Sequence, residues 1–301
     1  MVHGAGGGAP ARFVGTDPAD GGRVEVPAET GTILVDVAGT SAWGLDRDLR
    51  VVRYDVRTRT LADRWTGLAS PGPDGPVRLT AHALRADGGG AYVLAGGDGH
   101  DVLLRLTPGG GVAWSTRLPG PGPGHGAAEP RHEVAVSGDS VYVVAPTGDG
   151  DPAPTHAWRV RRSGGALVTH RLLPLGAVRA GDVDVEASPT GVVAVVDLPG
   201  AGSFVRLVRL DPGDLRPTAD VRVGGFLSMT GDGDRTWVFG YGRCTPLLAR
   251  YDTATLRRTG RWVVDAARQA FWVAAAGGRP WLLRTRAAER PAVWLERFDP
   301  A

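Results

Sequence analysis

Imidazole and carboxylate side chains crowd two long loops near the middle of the chain. Leu118 to Arg131 (LPGPGPGHGAAEPR) and Ala145 to Ala157 (APTGDGDPAPTHA), with the residues directly after the first, carry His125, Glu129, Arg131, His132, Glu133, Asp149, Asp151 and His156. Groups of these types at this density can hold a divalent cation or exchange protons with a substrate. The same groups also suit a pair of solvated polar loops. His132 and Glu133 stand where loop gives way to an apolar run, so a strand would hold them more firmly than His125 or His156. With His82 they are the candidates for acid–base chemistry.

A second set is Asp182, Asp184 and Glu186, spaced so that on a strand all of them share one face. Like charges on one face repel unless a cation or a basic partner such as Arg131 neutralises them. Glu133, Asp182 and Asp184 are therefore candidate ligands for Ca, Mg or Zn. The candidate ligand-binding set is Arg131, His132, Glu133, His156, Asp182 and Asp184. Asp36 and His82 would join the acids along a channel wall, although His82 alone fits a hydrogen-bonded filler equally well. Gly-Asp-Gly at Gly97, Gly148 and Gly231 offers oxygen ligands to calcium, yet Asp-Gly is also the natural hairpin turn in a chain without Asn. Cys244 is the lone cysteine and has no His near it in sequence, so no internal disulfide or Cys-based zinc site is expected. The chain contains no Gly-x-Ser-x-Gly elbow and no phosphate loop.

A repeat must position these residues. Val52-Arg53-Tyr54-Asp55 recurs as Leu104-Arg105-Leu106-Thr107, Trp158-Arg159-Val160-Arg161, Val208-Arg209-Leu210-Asp211, Ala249-Arg250-Tyr251-Asp252 and Glu296-Arg297-Phe298-Asp299. From one central Arg to the next the steps are 52, 54, 50, 41 and 47 residues. A period of that size between strand-forming runs points to the blades of a β-propeller. Each repeat reads as four short strands, here a to d from the ring axis outward. Strand b is a continuous apolar run such as Val141-Tyr142-Val143-Val144, suited to burial on both faces. Strand c alternates, which leaves the Arg stem packed and its head at the rim. Asp55, Asp211 and Asp252 then cap a turn into strand d. Strand a is placed at Thr32 to Val37, Arg78 to Leu84, Arg131 to Val136, Asp182 to Ala187, Phe226 to Met229 and Gln269 to Ala274. Helix propensity favours the Ala-rich stretch around the last of these, but Trp281 must begin a strand b soon after it.

The expected fold is all-β: a single-domain, six-bladed propeller of four-stranded antiparallel blades. Seven blades fit the repeat less well. Arg23 to Pro27 is expected as the outermost strand of the last blade, closing the ring. Arg12 to Val14 gives one more strand-like segment than six blades need. It reads as an extra strand, a remnant of a seventh blade, or part of a disordered lead over residues 1–19. The d–a and b–c loops of a propeller open on one face around the channel mouth, where ligands collect. The expected function is binding of a small molecule, peptide or protein partner there. The alternative is a metal-assisted lyase, lactonase or other hydrolase, or cyclase.

Val52 to Trp65 (VRYDVRTRTLADRW) and Leu248 to Trp262 (LARYDTATLRRTGRW) resemble the repeats of PQQ-like, YVTN-type and virginiamycin-lyase-like bacterial propellers. The resemblance covers nearly the whole chain but lies in the blade motif alone, which enzymes, binding proteins and scaffolds share. The tryptophan docking ring of the quinone-binding members is incomplete, so no quinone cofactor is expected. Six-bladed lactonases and lyases commonly hold a metal at the channel mouth through an Asn, a residue this chain lacks.

Composition narrows the classes further. Of 301 residues 46 are Gly and 23 Pro, scattered between apolar runs as turn residues are. Every basic side chain is Arg, a bias typical of a GC-rich genome. Net charge is +2 and Arg alternates with Asp and Glu, so the concentrated basic face of a nucleic-acid binder is missing. No apolar run nears the roughly 18 residues of a membrane span, and Met1-Val2-His3-Gly4-Ala5 is unlike a secretory leader. The expectation is a soluble, cytoplasmic monomer.

Overall fold

Short apolar runs separated by Gly, Pro and Asp turns can satisfy their backbone groups only by pairing with one another. The computed structural model describes residues 2–3, 12–16, 23–27, 32–38, 40–46, 49–58, 60–65, 70–72, 75–77, 79–97, 100–109, 111–120, 133–146, 153–178, 183–197, 204–242, 245–264, 269–276, 279–286 and 292–299. No helix occurs among them, and the strands form a six-bladed β-propeller of small antiparallel sheets.

The first blade comprises Thr32–Ala38, Ser41–Asp46, Val51–Asp55 and Thr60–Trp65. The second comprises Thr80–Asp87, Gly90–Gly97, His100–Leu106 and Val112–Leu118. Val134–Ser137, Ser140–Pro146, Ala153–Arg161 and Leu167–Val178 form the third. Val183–Ser188, Gly191–Asp197, Phe204–Leu210 and Pro217–Gly224 form the fourth, and Phe226–Asp232, Arg235–Gly242, Thr245–Asp252 and Arg258–Val263 the fifth. Gln269–Ala276, Arg279–Arg286 and Ala292–Arg297 are the described strands of the sixth. Gln269–Ala276 is thus a strand despite its alanines, because ladder pairing with Arg279–Arg286 outweighs helix propensity.

The expected ring closure is not what forms. Arg23–Pro27 pairs with Arg12–Thr16, which pairs with Val2–His3, in a separate three-stranded sheet. The physical reason is loop closure: a neighbouring hairpin partner costs far less chain entropy than the distant edge of the last blade. Arg12–Thr16 is therefore an extra strand. Val2–His3 lies against strand a of the first blade. A small hairpin, Ser70–Gly72 with Gly75–Val77, decorates the d–a connection between the first and second blades and has no counterpart in the sequence reading.

The core is a set of seams. Each of five buried clusters straddles two successive blades, and strand b contributes to every one. The repeated Arg explains itself in register. Arg53, Arg105, Arg159, Arg209, Arg250 and Arg297 lie directly opposite Trp43, Tyr92, Tyr142, Val193, Trp237 and Trp281 of strand b. Guanidinium groups cover the rings of Trp43, Tyr92 and Trp237 at 5.9, 4.4 and 5.6 Å. Such contacts contribute about 0.5–1 kcal/mol each at exposed sites. The heads are tied within the blade, Arg53 to Asp63, Arg105 to Asp87 and Arg250 to Thr259. The motif Arg is a clamp between strands.

Candidate functional site

Strand a forms the channel wall, and its pairing with strand b fixes which residues are level. Asp36, Arg85, Ala135 and Glu186 oppose Trp43, Tyr92, Tyr142 and Val193, so they share one level in the first four blades. Glu133, Asp184 and Ser228 share the level nearer the d–a loops, opposite Val144, Val195 and Phe239.

At the deeper level Arg85 reaches past the third blade to the fourth. Its Nη1 and Nη2 donate to Glu186 Oε1 and Oε2 at 3.3 and 3.0 Å, and its Nε lies 3.9 Å from Asp36 Oδ2. Ala135 holds the same level in the intervening blade and packs into the seam to the fourth. Asp36 Oδ2 also accepts from the Ala86 backbone N–H at 2.7 Å. The guanidinium fork thus joins three blades and bridges the channel.

At the upper level two polar side chains each staple one strand a to the next. Asp184 Oδ2 accepts from Met229 N–H of the fifth blade at 3.3 Å, and Ser228 Oγ accepts from Val273 N–H of the sixth at 2.9 Å. Asp184 Oδ1 is buried with no hydrogen-bond partner among the described residues. Burial, then the charge of Glu186, raises the Asp184 pKa well above the usual carboxylate value, outweighing Arg85 and the Met229 N–H. Burial also raises Glu186, although Arg85 opposes it. Arg85 itself is held more firmly charged by Glu186.

Glu133, Asp184 and Glu186 are therefore brought to the wall of neighbouring blades, and Glu133 is only 3% exposed. Arg131, His132 and Asp182 lie outside the described residues, as do His125, Glu129, Asp149, Asp151 and Cys244. His82 is half-buried at the bulge between Ala81 and Ala83 in strand a of the second blade. Among the described residues no three His, Cys, Asp or Glu side chains converge at metal-ligand spacing.

His156 does not reach the channel. It lies on strand c, two strand spacings or about 10 Å outward from strand a. Its Nδ1 is 2.8 Å from His170 Nε2 of strand d, and both rings stack with Trp158. Trp158 Nε1 donates to Pro119 O of the second blade at 2.9 Å, which places the stack in a blade seam. Burial lowers both imidazole pKa values, and the neighbouring His170 lowers His156 further. Sequence reasoning also missed Arg85. The available signal was a charge inside the apolar run Ala83-Leu84-Arg85-Ala86.

Neither a family model nor a curated protein sequence matches the chain. Solved structures do. The chain is similar to the WD40 domain of Neurospora crassa Pan2, with TM-score 0.55 and 12% identity over 87% of this chain and 74% of that one. KlHsv2 with loop 6CD replaced by a Gly-Ser linker gives TM-score 0.55 and 7% identity over 96% and 91%. The computationally designed Ika8 protein gives 0.51 and 13% over 88% and 70%. At these identities the likeness establishes the propeller fold and nothing about activity.

Proposed function

We propose that this chain is a binding propeller whose channel mouth, on the face of the d–a and b–c loops, receives a cationic group of a small molecule or peptide. The observation that carries the reading is the Arg85–Glu186 bridge. It crosses the channel below the level of Glu133 and Asp184, so a group entering from the loop face would reach those carboxyls before it. Arg85 is committed to the deeper acids Glu186 and Asp36, and Asp184 Oδ1 has no hydrogen-bond partner among the described residues, so Asp184 once ionised would favour a positive charge. Arg131, His132 and Asp182, at the d–a entrances by sequence, would line the approach.

Asp184 must lose its proton to hold a cation, so binding should strengthen as pH rises through its elevated pKa. Calorimetric titration with putrescine and N-acetylarginine amide between pH 5 and pH 8 tests this. We expect binding that improves with pH and drops about tenfold or more in Asp184→Asn, in line with loss of a charged hydrogen-bond partner. Absence of binding by both probes across that range would refute the upper carboxyls as a cation site. Metal analysis of the same protein separates this reading from the metal-assisted hydrolase or lyase.

A further inference from the structure

The third and fifth blades differ at one place in a way that opens a cavity. Ala249 is the counterpart of Trp158: each precedes the motif Arg and opposes a strand b valine, Val238 or Val143. In the third blade the Trp158 indole fills the seam to the second blade and is 1% exposed. In the fifth blade Ala249 takes the place of that indole and borders a cavity of about 320 Å³ in the seam to the fourth. Its walls are Val223, Val238, Leu247 and the ring of Tyr251.

Three arginines border this cavity: Arg258 and Arg261 from strand d of the fifth blade, directly opposite Tyr251 and Ala249, and Arg222 from strand d of the fourth, whose side chain shares its face with Asp220. Arg258 and Arg261 act on the buried Tyr251 hydroxyl, where their charges partly offset the effect of burial. None of the three is ion-paired with a carboxylate among the described residues. The nearest acid on the strand of Arg222 is Asp220, which Arg206 engages. An apolar pocket of this size, rimmed by uncompensated forked donors, suits a ligand with a flat apolar body and a planar anion.

We propose that this seam is a binding site for an aromatic carboxylate. The ring would occupy the space that Trp158 takes in the third blade, and the carboxylate would face Arg258 and Arg261. The site is separate from the channel mouth and does not depend on the function proposed there.

The test is calorimetric titration with indole-3-acetate, its neutral amide indole-3-acetamide and the cationic tryptamine. Wild-type protein should bind indole-3-acetate, bind the amide about tenfold or more weakly, as expected for loss of a charge-assisted pair, and not bind tryptamine. Binding should also weaken with added salt. Ala249→Trp should fill the cavity as Trp158 does and abolish binding. Arg258→Gln with Arg261→Gln should weaken it about tenfold while leaving Tm unchanged, because both heads are exposed. If Ala249→Trp does not fold, the arginine pair alone decides. No binding of indole-3-acetate, equal binding of the amide, or full binding by the arginine variant would each overturn the proposal.

Discussion

Asp184 carries a proton as part of the fold. Its carboxyl is buried beside Glu186, so the folded state raises its pKa above the unfolded value. A carboxyl shifted upward stabilises the fold fully below its unfolded pKa of about 4, and that contribution is lost as pH rises through the folded value. Asp184→Asn cannot ionise and keeps an acceptor for Met229 N–H. The variant should therefore gain on the wild type as pH climbs from 4 to 8, and melting temperatures across that range measure the difference. A gap that stays constant would mean that folding does not raise the Asp184 pKa. Asp87 runs the other way: burial pushes its pKa up, but the Gly89 N–H, Arg105 and Arg162 outweigh it, so its contribution is lost as pH falls. The two-residue spacing of Asp184 and Glu186 was legible because it places both on one strand face. Their partner Arg85 was not, since a contact across a channel between non-adjacent blades has no fixed spacing in sequence.

Strands b, c and d were legible because their patterns are strong: continuous apolar runs, alternation around the Arg, and Asp at the turn. Asp55 Oδ1 accepts from the N–H groups of Arg57 and Thr58, and Asp211 Oδ1 from those of Gly213 and Asp214, as the turn reading required. The residue that completes these turns was not legible. Leu215 and Leu256 adopt left-handed backbone with φ of 60° and 53°, where the third blade has Gly165 at 71°. Gly165 cannot be replaced, since an added Cβ would sit 2.7 Å from the Trp114 ring. The two leucines face no such ring and plug blade seams instead, at 0% and 1% exposure. Left-handed leucine costs about 1–2 kcal/mol, while burying the side chain returns about 1.5–3 kcal/mol. Burial decides the residue. Leu256→Ala keeps the strain and loses the contact, so it should cost about 2–5 kcal/mol. Leu256→Gly loses the same contact but relieves the strain, and Gly's extra unfolded freedom of about 0.5–1 kcal/mol only partly offsets that relief. Urea unfolding should thus rank the glycine variant at or above the alanine variant. A clearly less stable glycine variant would contradict the strain assignment.

A propeller gains strength where blades support one another on both sides, and it is weakest where sheets lack a partner. The repeat made the ring legible, because each motif Arg marks one blade. Its closure was not, because the residue pattern of Arg23–Pro27 marks a strand without saying which edge it joins, and a hairpin neighbour needs the shorter loop. Pairing with Arg12–Thr16 leaves Ala292–Arg297 without an outer partner among the described strands, whereas strand c of every other blade lies between b and d. Its outward N–H groups should then open to solvent more readily than those of His100–Leu106 or Phe204–Leu210. Native-state hydrogen exchange followed by mass spectrometry measures this directly. We expect the last strand to exchange at least about tenfold faster than its counterparts, which corresponds to about 1.4 kcal/mol less local stability. Deleting residues 1–29 should leave that rate nearly unchanged, since the N-terminal sheet meets the ring at the first blade. Protection of Ala292–Arg297 equal to the inner blades, and lost on that deletion, would instead mean that Arg23–Pro27 pairs with it in solution and closes the ring.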